Sequence, residues 1–246
     1  MTEIPQNLIN LLKQSTKVAV LTGAGVSAES GVPTFREAQT GLWAKYDPES
    51  LATPQAFQAN PELVWNWYAW RRDLCANVSP NPGHYALAKM EQHISTFDLF
   101  TQNVDDLHDQ AGSQNITRFH GNLFGVKCFD QHHPIENWKD LPGTPPSCPK
   151  CGSRLRPDVV WFGEGLPHNV IEKAVDAVRQ ADVVFSIGTS SLVMPAAAVP
   201  VEALKAGVPV IEINPNQTAL TEHATLALRG KSGEVLPALV NAVWGE

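Results

Sequence analysis

Val18-Ala19-Val20-Leu21-Thr22-Gly23-Ala24-Gly25-Val26-Ser27-Ala28 is the stretch on which the reading of the fold turns. Val18 to Leu21 is a short β-branched and apolar run, the pattern of a buried strand. It leads directly into Gly23-Ala24-Gly25, where small residues permit a tight turn and let backbone N–H groups approach a pyrophosphate. With Ala28 as the third small residue, the segment matches a relaxed dinucleotide fingerprint, a signal shared by many Gly-rich strand ends that bind nothing. An ordinary dehydrogenase places an acidic residue about 20 positions further on for the ribose. Asp47, in a Pro-containing loop, is a poor candidate for it, which disfavours hydride transfer.

Working outward, strands are expected at Ser95–Thr101, Asn115–Phe119, Asp182–Ile187 and Pro209–Ile213. Helices are expected at Ile4–Gln14, Pro61–Cys75, Asn81–Gln92, Asn169–Gln180, Pro195–Ala206 and Glu234–Val243. Asn60-Pro61 and Asn81-Pro82 carry the cap-then-proline start signal. Short apolar strands separated by helices imply parallel βαβ units, an α/β doubly wound, mostly parallel sheet. The 246 residues fit one large domain with small inserts.

A net charge of -7 argues against a general polyanion binder, so no nucleic-acid partner is expected. The apolar stretch from Val183 to Ile213 is interrupted by Pro195, Pro200, Glu202, Lys205 and Pro209, which speaks against a membrane span. No export or transit signal is evident, so a cytoplasmic location is the expectation. The sequence leaves the oligomeric state open and is compatible with a monomer.

Phe124 to Pro157 breaks the helix–strand rhythm and is rich in Pro, Gly, His and Cys. A structureless loop of that length needs something to order it. Three of the four cysteines fall here, Cys128, Cys148 and Cys151, which points to metal. Cys75, in an apolar helix, reads as a buried thiol.

The longer run from Gly23 to Arg36 resembles the sirtuin signature nearly residue for residue. Thr101 to His108 resembles that family's second NAD motif, Phe119-His120-Gly121 its catalytic His-Gly, and Gly188 to Ser191 and Ile213-Asn214-Pro215 its later strand-end motifs. The matches run in order from about Val18 to Leu236. The resemblance implies a Rossmann-like core over 15–36, 94–122 and 158–246, a helical and flexible-loop insert over 37–93, and a small zinc-ribbon insert over 123–157. It implies an enzyme with NAD as co-substrate, transferring the acyl group of a protein lysine to ADP-ribose. His120 would be the general base on the ribose hydroxyls. NAD would be bound by Gly23, Ala24, Gly25, Glu29, Phe35, Arg36, Trp43, Gln102, Asn103, Asp105, Gly188, Thr189, Ser190, Asn214, Pro215, Asn216 and Ser232. Val160, Phe162 and Gly163 lie in the segment that pairs with the substrate backbone as an added strand; Met194 has no assigned role. Zinc would be held by Cys128, Cys148 and Cys151. The family's usual fourth cysteine is Gln131 here, so the expected fourth ligand is His132, with His133 beside it as the alternative.

Tyr68 and Arg71 are three residues apart on one expected helix and so share a face. A phenol beside a guanidinium makes a carboxylate clamp. The pair, with Ala52, resembles the residues by which desuccinylase and demalonylase sirtuins accept acidic acyl chains. On residues alone, Trp65, Tyr68 and Arg72 read equally as the core and rim of an amphipathic helix. Acetyl-, succinyl- and malonyl-lysine are therefore the expected substrates. The rivals are a plain deacetylase, an NAD hydrolase or ADP-ribosyltransferase on the same scaffold, and a non-enzymatic NAD sensor.

Overall fold

The computed structural model describes residues 3–33 and 47–245. Helix α1 (Gln6–Gln14) leads to strand β1 (Lys17–Thr22), which runs into the one-turn α2 (Ala24–Ala28). Next come α3 (Pro48–Leu51), α4 (Pro54–Ala59), α5 (Pro61–Ala76) and α6 (Pro82–His93). The last three start alike. Thr53, Asn60 and Asn81 each accept a backbone N–H with the side chain, and a proline follows where no N–H is needed.

The chain then alternates: β2 (Thr96–Thr101), α7 (Leu107–Gln110), β3 (Ile116–Arg118), β4 (Gly121–Cys128), β5 (Leu155–Val159), α8 (His168–Gln180), β6 (Val183–Ile187), α9 (Val199–Lys205), β7 (Val210–Ile213), β8 (Leu226–Leu228) and α10 (Ser232–Trp244). The main sheet has the order β3-β2-β1-β6-β7-β8 and is parallel throughout. It is the expected α/β doubly wound sheet. β1 and β6, its central strands, are buried along nearly their whole length, as a sheet covered on both faces requires. On one face Leu8 and Leu12 of α1, Leu87 and Met90 of α6, and Leu236 and Leu239 of α10 close the core. On the other, Ala174 and Val178 of α8 meet Val199 and Ala203 of α9.

Several details differ from the sequence reading, the short helices α3, α4 and α7 among them. The edge strand β8 was not anticipated, because three residues are too few to show alternation. Pro195–Ala206 is a 3₁₀ turn at Ala196–Ala198 followed by α9, and Pro200 sits in the first turn of α9, where proline is tolerated. The irregular segment is bracketed by strands: β4 and β5 pair antiparallel, with a register shift between Asn122 and Val126.

Outside the main sheet, Leu51, Ala52, Phe57, Val64, Trp67 and Tyr68 from α3–α5 pack on Leu123, Val159 and Trp161. The helices thereby lie against the β4–β5 ribbon, beside the end of the parallel sheet where β1, β2 and β6 finish.

Candidate functional site

In an open parallel sheet the binding crevice lies beyond the carboxyl ends of the strands, where successive connections leave in opposite directions. Here β1 connects toward β2, and its other neighbour is β6, so the crevice opens beyond Thr22 and Ile187. The glycines there interlock. A Cβ on Gly25 would lie 2.7 Å from the Gly188 carbonyl oxygen, and one on Gly188 would lie 2.6 Å from the Val26 nitrogen. Both obstacles are backbone, and the Gly25 N–H donates to the Gly188 carbonyl at 2.8 Å. Gly188 also has φ +60°, a conformation that favours glycine. Only residues without a side chain let the two turns touch.

The other strand ends deliver the remaining polar groups. Gln102, directly after β2, donates through Nε2 to Thr189 Oγ1 at 3.0 Å. Asn214, after β7, donates through Nδ2 to the Thr189 carbonyl at 2.9 Å and accepts the Asn216 N–H through Oδ1 at 3.0 Å. Ser190, Pro215 and Asn216 are exposed around this ring. Glu29 reaches the start of α10, accepting from Ser232 Oγ at 3.1 Å and from the Gly233 N–H at 2.8 Å. The expected NAD residues on β1, β2, β6, β7 and α10 thus converge on one end of the sheet. Phe35, Arg36 and Trp43 lie outside the described residues.

Beneath this end runs a buried polar network that the sequence reading missed. Asn103 donates to Ser27 Oγ at 3.0 Å, and the same hydroxyl bonds Asp105 and lies 3.4 Å from His84 Nε2. Thr22 Oγ1 donates to Thr101 Oγ1 at 2.9 Å and sits 3.1 Å from His108 Nε2. The two imidazoles meet edge to face with centroids 4.8 Å apart. Burial holds both neutral, pushing His84 down to about 4 and His108 down to about 3, with His84 and Arg118 adding to the shift at His108. Burial also raises the Asp105 carboxyl, against the lowering effect of the Leu107 N–H and Ser27.

His120 stands between β3 and β4. Its Nδ1 lies 2.9 Å from the Gln102 carbonyl. A carbonyl only accepts, so this bond places the proton on Nδ1 and leaves the Nε2 lone pair available. Burial lowers the pKa of the ring, and the Gln102 bond partly opposes the shift. The His120 carbonyl accepts the Val160 N–H at 2.9 Å, tying the histidine to the segment after β5.

That segment meets the helical module. The Phe162 N–H donates to the Ala52 carbonyl at 2.9 Å, and Trp161 Nε1 donates to the Tyr68 hydroxyl at 2.9 Å. Ala52, Tyr68 and Trp161 are buried, Phe162 and Gly163 exposed. The Arg71 guanidinium carbon lies 5.6 Å from the Tyr68 ring centre and 5.1 Å from that of Trp67. The expected acyl-pocket residues therefore gather beside the expected substrate strand.

In the segment between β4 and β5, Cys128, His133, Cys148 and Cys151 place their ligand atoms within 4.8 Å of one another. The expected fourth ligand, His132, is corrected to its neighbour. His132 is exposed and turns the chain with φ 53°, and its N–H donates to the Cys128 carbonyl. That turn sends the next side chain inward: the His133 N–H donates to Cys128 Sγ at 3.3 Å, and its Nδ1 is buried with no hydrogen-bond partner. Three free thiols around an imidazole nitrogen left without a partner fit a tetrahedral Cys₃His zinc site. Among the described residues, no helix is long and apolar enough to cross a membrane.

Comparison with known proteins agrees with this geometry. The Sir2 family profile matches residues 23–195. The NAD-dependent protein deacylase 1 of Archaeoglobus fulgidus is 49% identical over 97% of both chains, and the NAD-dependent protein deacylase of Methylococcus capsulatus 45% identical over 98% of both. A solved complex of a Sir2 homologue with NAD superposes with a TM-score of 0.91 at 48% identity, covering 98% of this chain and 94% of that one. A Sir2 protein bound to acetylated peptide superposes with a TM-score of 0.88 at 26% identity, covering 99% and 100%.

Proposed function

The chain belongs to the Sir2 family, and from that premise we propose that it is an NAD-dependent protein deacylase that removes succinyl and malonyl as well as acetyl groups from lysine. NAD is the co-substrate, accepting the acyl group on ADP-ribose with release of nicotinamide and free lysine. The interlocked Gly23–Gly25 and Gly188 turns let the pyrophosphate approach the main chain closely, the N–H groups of Gly23, Gly25 and Gly188 being spent on the Ile187, Gly188 and Ile213 carbonyls, and Gln102, Asn103 and Asp105 line the nicotinamide side. Asn214, Asn216 and Ser190 take the adenosine side, with Glu29 and Ser232 behind.

His120 is the general base. Partial burial lowers its pKa and favours the neutral ring, and its Nε2 is an acceptor because Nδ1 is committed to the Gln102 carbonyl. It needs no deprotonation step before taking a ribose hydroxyl proton. Cys128, His133, Cys148 and Cys151 would hold zinc, which would order the segment between β4 and β5 as a closed structural site with four protein ligands.

The observation that carries the acidic-acyl reading is the convergence of Ala52, Tyr68 and Arg71 on the segment bearing Val160, Phe162 and Gly163. Ala52 leaves room, Arg71 supplies charge, and Tyr68 supplies a neutral donor, its phenol held protonated chiefly by burial. A second reading rests on the burial of Tyr68, 1% exposed, which equally suits a packing residue in a plain deacetylase.

Turnover of matched acetyl- and succinyl-lysine peptides by the wild type and Arg71→Met decides between them. A charge-assisted hydrogen bond contributes about 1.5–3 kcal/mol, so succinyl-lysine kcat/KM falls roughly tenfold to a hundredfold while acetyl-lysine is nearly unaffected. A wild type that leaves succinyl-lysine untouched establishes the plain deacetylase. Nicotinamide release without deacylation of either peptide refutes both readings.

A further inference from the structure

Trp161 lies between Val160 and Phe162 of the proposed substrate segment, and its indole packs into the helical module. An indole N–H donates and has no lone pair to accept with, whereas a phenol carries one proton and acceptor lone pairs. The 2.9 Å contact between Trp161 Nε1 and the Tyr68 hydroxyl therefore has one polarity: the Tyr68 oxygen is the acceptor, and its own proton is directed elsewhere. The donor is rigidly held. The Arg156 guanidinium carbon lies 3.3 Å over the indole, the ring packs on Phe57 at 5.4 Å, and Glu164 accepts the Trp161 backbone N–H at 2.8 Å. Arg156, fully buried, grips both Glu164 oxygens and also donates to the Val159 carbonyl at 2.8 Å.

From this arrangement we propose that Trp161 is a positioning residue for acyl specificity, fixing the Tyr68 hydroxyl so that its proton is presented to the carboxylate of an acidic acyl chain. The proposal rests on the acidic-acyl reading of Tyr68 and Arg71 above and adds the residue that orients their donor. Without the indole N–H, the phenol is free to rotate its proton onto other acceptors, and an acidic acyl chain loses a donor that acetyl-lysine never uses.

The test is the ratio of succinyl- to acetyl-lysine kcat/KM in Trp161→Phe, Tyr68→Phe, the double variant and Arg71→Met. Trp161→Phe keeps an aromatic ring over Arg156 and removes the donor together with part of the buried indole volume. The expected result is a roughly fivefold to tenfold fall in the ratio, expressed as a higher KM for the succinyl peptide. Acetyl-lysine kcat/KM is the denominator in every variant, so a general loss from disturbing the segment after β5 cancels in the ratio, and the double variant falls no further than Tyr68→Phe alone, as two residues acting through one bond require. Benzothienylalanine at position 161 preserves the ring shape with sulfur in place of N–H and gives the same fall if Trp161→Phe folds poorly. A ratio that drops in Tyr68→Phe and Arg71→Met but holds in both Trp161 variants overturns the role of Trp161 alone. A ratio that holds in all of them overturns the acidic-acyl reading and this assignment together.

Discussion

Lowering the pH from 7 to 5 removes stability through the two imidazoles sealed under the crevice. Burial holds His84 down to about 4 and His108 down to about 3, against about 6.5 for an exposed imidazole. Between those values the unfolded chain binds protons that the folded chain refuses, so stability is full above pH 6.5 and falls as the pH drops toward 4. Each imidazole loses about 1.4 kcal/mol per pH unit, or about 2 kcal/mol by pH 5 and about 4 kcal/mol for the pair. A domain of this size has about 5–15 kcal/mol in total, and each kcal/mol moves its melting point by about 2–4 °C, so a fall of about 8–16 °C is expected. Asp105, raised by burial, contributes with the opposite sign. The assay is therefore a comparison of Tm against pH for the wild type and His108→Gln, which leaves Asp105 in place. The variant melts lower at pH 7, and its curve is flatter by about half of the loss. Parallel curves over pH 5–7 would refute the claim that His108 is buried neutral in the fold.

Gly25→Ala forces a Cβ to 2.7 Å from the Gly188 carbonyl; overpacking of this kind costs about 1–3 kcal/mol, and it appears as a lower Tm with a raised KM for NAD and an unchanged KM for peptide. His133→Ala lowers zinc content and melting temperature, whereas His132→Ala leaves both at wild-type values, read by metal analysis of the purified protein beside a thermal melt. Arg229→Ala removes a partly exposed guanidinium 3.0 Å from Glu212, which is 1% exposed and keeps the Thr218 and Thr221 hydroxyls as donors; losing a charge-assisted bond at such a half-screened pair costs about 1–2 kcal/mol. Because Arg229 also donates to the Asn214 and Asn216 carbonyls, KM for NAD rises too, and Glu212→Gln added to Arg229→Ala restores stability without restoring that KM.

The parts legible in the sequence are those whose physics is local. Asn60 and Asn81 cap helices because each side chain accepts an N–H two or three residues on, just behind a proline at the first helical position. The glycines after β1 and β6 stand out only because the longer runs from Gly23 to Arg36 and from Gly188 to Ser191 carry them, since a Gly-rich strand end alone is common among segments that bind nothing. The polar network beneath the crevice carries no such mark. Thr22 meets His108 across 86 residues and Ser27 meets His84 across 57, contacts that exist only once β1, β2 and α6 are packed. Trp161 and Tyr68, 93 residues apart, are joined in the same way. The choice between His132 and His133 hangs on a single backbone angle, the left-handed φ of His132, which neither composition nor spacing encodes.

The position of His120 explains how one cofactor site can serve different acyl groups. Its side chain is set from the parallel sheet, through the Gln102 carbonyl at the end of β2. Its backbone carbonyl, facing the other way, receives Val160 at the start of the substrate segment. The proposed base is thus aligned by the cofactor half of the molecule, while on the proposed reading the acyl group would be graded by Ala52, Tyr68, Arg71 and Trp161, side chains of the helical module and the segment after β5. The link between the halves is a main-chain hydrogen bond that does not depend on which side chains grade the acyl group. Substitutions in the acyl cluster can therefore change which acyl chain is accepted while leaving the tautomer and placement of His120 intact. The reverse does not hold. A change at Gln102 or in the β2 turn that shifts its carbonyl releases the Nδ1 proton and weakens turnover of every acyl group alike. Loss of activity toward all acyl groups traces to the sheet, and loss toward one class traces to the helices.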